Sequence, residues 1–242
     1  MKSSQFLLAS LIAAFSLTAW QSVLAVPRAA EASGANYLAA ADDLGGWHLG
    51  GFYRYQACDL ETPGDSFSQD NIALTIGHDI FPWLSVYALA GTTDAQRDLY
   101  GDDADYAFLY GFGAWVNLLD HDIIATLKTE TKLRVQAIAQ ISFASPDIND
   151  ESYDITDYYA ALTFSFVNEI VANKNLFPEA VGLFFGPVYS NVHCGELDSK
   201  SDTVGFGGGL DIYINRNVAL SGSYETFGDG GDAVTFSLNV NF

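Results

Sequence analysis

Basic residues are scarce: lysine and arginine together number 10, against 30 aspartates and glutamates. With no basic stripe to meet a phosphate backbone, nucleic acid is excluded as a partner. Charge of either sign makes up only 17% of the chain while apolar residues reach 49%, which suits neither a disordered segment nor an ordinary soluble surface. Beyond the first 25 residues there is no run of about 18 apolar residues, so the sequence encodes no transmembrane helix there. Cysteine is limited to Cys58 and Cys194, with no Cys-x-x-Cys. His48, His78, His121 and His193 are not spaced as metal ligands. No Gly-x-Ser-x-Gly occurs either, so no metal centre, cofactor or hydrolase elbow is expected.

Residues 1–25 combine Lys2, an apolar run from Phe6 to Trp20, and the small-residue end Val23-Leu24-Ala25. That is the layout of a Sec-type signal peptide, with cleavage expected before Val26. Residues 26–46, rich in alanine and glycine, show no strand period and read as a periplasmic lead-in, leaving 47–242 as one domain. A chain exported without an apolar helix can cross a membrane only by strands closed on themselves.

The strands announce themselves by a period of two. From Val234 to Phe242 every even position is apolar and every odd one polar. In 217–227, Val218, Leu220 and Tyr224 oppose Ala219, Ser221, Ser223 and Glu225. In 203–214, Phe206, Leu210 and Ile212 oppose Gly205, Gly207, Gly209 and Asp211. In 131–143, Leu133, Val135, Ile141 and Phe143 oppose Lys132, Arg134, Gln136 and Gln140. Glycine weakens a strand, so three on one face imply that large side chains come close there, as in a narrow lumen. Aromatics near strand ends, among them Trp47, Tyr53, Tyr55, Phe81, Trp83 and Tyr158, match interfacial girdles.

The terminal pattern of Val234, Phe236, Leu238, Val240 and Phe242, ending on the aromatic itself, resembles the C-terminal assembly signal of bacterial outer-membrane barrel proteins of the small OmpA-like or porin-like kind. The close match covers the last nine residues. The resemblance implies an all-β, antiparallel, up-and-down transmembrane barrel in the outer membrane, surrounded by its lipids and recognised by the barrel-assembly machinery through the final strand.

Counting gives ten strands, at 47–56, 71–80, 84–92, 106–117, 131–143, 157–168, 180–190, 203–214, 217–227 and 233–242, an even number that returns both ends to one side. Acid-rich connections such as 93–105, 144–156 and 191–202 fall on one side, as outer loops would. The segments 118–130 and 169–179 are long for periplasmic turns; Leu118, Leu119, Ile123, Ile124 and Leu127 could lengthen strands instead, and eight or twelve strands stay open.

Five charges fall on the inner face: Arg54, Lys132, Arg134, Asp211 and Glu225. They could line a path or neutralise one another, and a ten-strand barrel, little wider than one filled by its own side chains, favours neutralisation. Cys58 and Cys194, both in outer loops on this count, could form a disulfide after export. Asp147-Ile148-Asn149-Asp150-Glu151 lacks the spacing of a calcium loop. His193 with Asp198 could serve a barrel enzyme, but the omptin-type protease, which this chain resembles in strand number, implies an Asp-x-His pair where Asn191-Val192-His193 stands. No catalytic residue is assigned. The expectation is a structural or surface-binding envelope component with acidic loops of unknown ligand, then a narrow channel for ions or small solutes, then a barrel enzyme. Detergent-extracted protein should run faster on a gel unboiled than boiled and show a β-type circular dichroism spectrum. Unchanged mobility together with ready solubility in plain buffer would point to a secreted β-sandwich.

Overall fold

The computed structural model describes residues 46–242 apart from 60–65, 82, 98–101, 104–105, 126–128, 149–150, 171–177, 195–202, 216 and 242. The expected signal peptide, nearly all of the expected lead-in and Phe242 lie outside the described residues. Ten long strands form the wall: β1 (Trp47–Asp59), β2 (Ser66–Phe81), β3 (Leu84–Arg97), β4 (Ala107–Ala125), β5 (Thr129–Ala144), β6 (Ile155–Ile170), β7 (Ala180–Cys194), β8 (Thr203–Asn215), β9 (Val218–Thr226) and β10 (Asp232–Asn241). Each pairs antiparallel with its neighbours in chain order, and β10 returns to β1 from Ala57↔Asp232 to His48↔Asn241, closing the sheet. The short pair Asp147–Ile148 and Glu151–Ser152, and Asp102–Asp103 against the end of β3, decorate the far rim, where the acidic connections lie.

Parity sorts the side chains. Burial in β9 alternates residue by residue, with Ala219, Ser221, Ser223 and Glu225 inside and Leu220, Tyr224 and Thr226 outside. Val234, Phe236 and Leu238 face outward from β10 as their period requires, whereas Val240 is almost covered between its register partners Leu49 and Val218. The girdle aromatics Trp47, Phe81 and Trp83 are exposed at the near rim, Phe81 and Trp83 with their rings stacked, and Tyr158 is exposed towards the far one.

Strands run further than the hydropathy pattern allowed. Most of the segment 118–130 is strand: β4 continues to Ala125 and β5 begins at Thr129. The period is hidden there because β4 carries register shifts between Asn117 and Leu119 and between Asp122 and Ile124, each moving the alternation by one place. Leu118 and Leu119 are therefore both exposed. Likewise Cys58 and Cys194 belong to the ends of β1 and β7 and not to loops, though their side chains lie outside the described residues.

The glycines of β8 confirm that face as a place of close approach, but the large group comes from next door and not from across the lumen. Phe184 pairs with Gly209, and a Cβ there would lie 2.3 Å from the Phe184 ring and 2.2 Å from the Gly222 carbonyl oxygen. On the exterior, a Cβ at Gly222 would meet only the Phe236 ring, at 3.5 Å. Gly209→Ala is expected to cost about 1–3 kcal/mol in urea unfolding from vesicles, and Gly222→Ala to stay within about 0.5 kcal/mol. Equal tolerance at the two positions would contradict this packing.

Candidate functional site

The space inside the wall is where function would have to reside if solutes passed or bound, and it is occupied by the barrel's own side chains. The largest fully buried groups are Trp115, Arg54, Arg134, Tyr213, Phe67 and His48, none more than 2% exposed. They are arranged in layers along the axis.

Towards the far rim Arg54 donates through Nη1 to Glu225 Oε2 at 2.8 Å and through Nε to Gln56 at 3.2 Å. The Tyr159 hydroxyl donates to the other Glu225 oxygen at 2.7 Å, and its ring lies 5.1 Å beneath the guanidinium. Gln56 in turn donates to Ser190 of β7 at 3.2 Å, tying one wall to another across the lumen. Asp157 is buried on the same inner face as Tyr159 and adds a second acid near Arg54.

The middle is apolar and aromatic. Phe52, Tyr87, Leu89, Trp115, Ile138, Ala161 and Val188 form one buried cluster, with the Tyr87 and Trp115 rings 5.7 Å apart and the Tyr87 hydroxyl donating to Gln140 at 3.0 Å. Nearer the other end Arg134 donates to Asp120 at 2.6 Å, and Asp211 accepts from Ser221 at 2.6 Å. At the near rim Asp79 takes His48 Nε2 at 2.8 Å and the Ser85 hydroxyl. His48 sits edge-on to Trp115, with centroids 5.1 Å apart.

Four of the five lumenal charges expected from the sequence, Arg54, Arg134, Asp211 and Glu225, are thus buried inside, and Lys132 stands on the same strand face as Arg134, partly exposed. The sequence places Arg54 and Glu225 on the inner face without saying that they pair; their ion pair comes from the structure. Asp120 was missed as the partner of Arg134 because it lies in the bulged part of β4, although Asp120 and Asp122 alternating with Leu119, His121 and Ile123 carry the signal. Among the described residues no three His, Cys, Asp or Glu side chains gather as a metal would require. His193 lies exposed on the outside of the wall, opposite Thr156, and Asp198 is outside the described residues.

No protein-family model matches this chain, and no curated protein matches it. Among solved structures, the transport unit of the autotransporter AIDA-I from Escherichia coli superposes with a TM-score of 0.51 at 11% identity, covering 87% of this chain and 95% of that one. LpxR from Salmonella typhimurium gives 0.39 at 14% identity, covering 84% and 91% of the two chains. The β domain of the Bordetella autotransporter BrkA gives 0.38 at 12%, covering 83% and 99%. The fold is that of a small outer-membrane barrel. The first likeness carries that statement alone; the other two superpose too loosely to add to it.

The exterior of this barrel is uneven. A groove of about 920 Å³ has a floor of Ala88, Ala114, Ala139 and Ala160, with Phe112, Ile141 and Tyr158 on one bank and Trp47, Ile76 and Val86 on the other. Ala114, Ala139 and Ala160 lie in direct register on three adjacent strands, so one band of the wall presents only methyl groups.

Inside, the Arg54–Glu225 pair gives the sharpest energetic expectation. Arg54→Met leaves Glu225 buried without its cation, and the expected loss is about 3–5 kcal/mol. Arg54→Met combined with Glu225→Leu should recover much of it, because no charge of the pair is then stranded. Urea titration in vesicles checks both, and a single variant within about 1 kcal/mol of the parent would show the pair to be solvated.

Proposed function

We propose that this chain spans the bacterial outer membrane as a closed, non-conducting barrel, an envelope component whose contributions are structural or lie in its acidic far-rim loops. The observation that supports this reading is the filled lumen. Trp115, Phe52 and Tyr87 occupy the middle, and the arginines on either side are each held by a carboxylate. A conducting path needs mobile water and charges free to meet an ion; here both arginines are engaged within the wall.

Export by the signal peptide, lipid on the exterior and delivery through the final strand belong to the same reading. A narrow channel is the competing one, and Lys132 and Arg134 would line it. An enzyme finds less support, since His193 stands on the exterior and no carboxylate of the described residues is seen to approach it. The acidic far rim is where a surface ligand would meet the protein, its specificity set by loop shape.

Purified protein in planar bilayers should give no stepwise conductance. Defined steps that shift with Lys132→Glu or Arg134→Glu would establish the channel instead, and turnover of a membrane or peptide substrate lost on changing His193 would establish the enzyme.

A further inference from the structure

The wall does not end level at the near rim. The pairing of β3 with β4 stops at Leu84↔Val116, and the Asn117 amide adds one more hydrogen bond, to the Trp83 carbonyl at 2.9 Å. On its other side β4 stays paired with β5 as far as Ala125↔Glu130, and β5 with β6 as far as Thr129↔Ile170. Three strands therefore run on past the girdle residue Trp83. Among the described residues the outer edge of β4, from Leu118 to Ala125, has no strand beside it. Natural sheets blunt such edges with lysine or proline. This one has neither: it reads Leu-Leu-Asp-His-Asp-Ile-Ile-Ala, with Leu118, Leu119 and Ile123 exposed and Asp120 engaged by Arg134. Its two register shifts bend the edge without covering it.

Direction, reach and charge select what covers it. β4 runs out of the barrel at this rim, so a partner must run towards the barrel to make an antiparallel ladder. A second copy in the same membrane brings the same edge in the same direction. The residues before β1 run the right way, since they lead into Trp47 at the same rim. Gly46 shows from which side they arrive. Its carbonyl accepts from the Asp79 amide and from His78 Nδ1, each at 2.7 Å, and its φ of +67° turns the chain there. The chain thus enters β1 from the β2 side, the side on which β3 and β4 follow. From Asp79 through its register partners Ser85 and Trp115 is two strand spacings, about 10 Å, and from Trp115 to Leu118 about 10 Å more along β4. The diagonal of about 14 Å takes about five extended residues. Residues 41–45, Ala-Asp-Asp-Leu-Gly, supply them. The stretch before, 32–40, carries neither charge nor proline, so it neither repels Asp120 and Asp122 nor lacks an amide to donate.

We propose that the near-rim edge of β4 is a docking site for this chain's own lead-in, with residues 33–40 adding to 118–125 as a further antiparallel strand. The main chain carries the recognition in strand addition, which is why the segment needs no alternation of its own. The added strand covers an apolar edge that would otherwise recruit other chains, and it ties the start of the domain to its fourth strand. The inference is independent of whether the protein conducts, since the edge lies beyond the wall that encloses the lumen.

The test is nuclear magnetic resonance on the full-length mature protein, one barrel to a lipid nanodisc. Cross-strand Hα–Hα contacts are expected between 33–40 and 118–125. The amides of 118–125 that face away from β5 are expected to exchange at least about tenfold more slowly than in a Tyr37→Pro, Ala39→Pro variant, whose added strand has lost donors. Ala29→Pro, outside the segment, should leave that protection unchanged. Heat-modifiable gel mobility shows whether each variant is folded, and where the double variant is not, the Hα contacts of the unaltered protein decide alone. Absence of those contacts would overturn the proposal, as would outer amides that exchange in the unaltered protein as fast as in the proline variant. Protection that appears only in nanodiscs holding two barrels would assign the edge to a second copy and overturn it as well.

Discussion

Ten strands enclose a space just wide enough for the side chains that point into it, and everything else in the structure answers to that width. An inward residue cannot be chosen for its own strand alone, because its neighbours on both sides and the wall opposite claim the same volume. Phe184 can turn inward only because Gly209 beside it has no side chain. Gln56 reaches Ser190 from one wall to another with a single hydrogen bond, a direct sign of how narrow the lumen is at that level. Gly209 on β8 and Phe184 on β7 are two halves of one packing solution.

The same narrowness decides how charge is tolerated. An arginine inside a narrow barrel has too little solvent around it to be left alone, so each lumenal guanidinium is met by a carboxylate from a different strand: Arg54 by Glu225, Arg134 by Asp120. These pairs contribute less through raw strength than through selectivity, since a slip of one residue in β1 or β9 would send one member of the pair to the exterior and strand the other. A buried apolar cluster that includes Phe52, Tyr87 and Trp115 lies between the two layers.

Much of this was legible in the residues. Alternation in β9 and β10 gave the faces of Ala219, Ser221, Ser223 and Glu225 against Leu220 and Tyr224, and of Phe236, because a wall one residue thick leaves only two directions to point. What parity cannot convey is where it breaks. The register shifts of β4 disguised 118–125 as a connection and with it concealed Asp120. Nor does parity say how high on its strand a residue stands relative to one across the lumen, since tilt sets that height. The cluster of His48, Asp79 and Ser85, drawn from three strands, was invisible for this reason. Likewise glycines on an inner face foretell crowding without saying which strand supplies the crowd.

The seam between β1 and β10 joins the two ends of the domain along ten register pairs, from Ala57↔Asp232 to His48↔Asn241. No other pairing in the wall spans so much chain, and loop closure over that distance is the slowest kind to achieve by chance. Until the last strand arrives, both β1 and β9 present unpaired edges, and the buried arginines have water where carboxylates will later stand. Time enters the architecture here. A growing chain holds nothing resembling a lumen, and its interior comes into being all at once, on the arrival of its final residues.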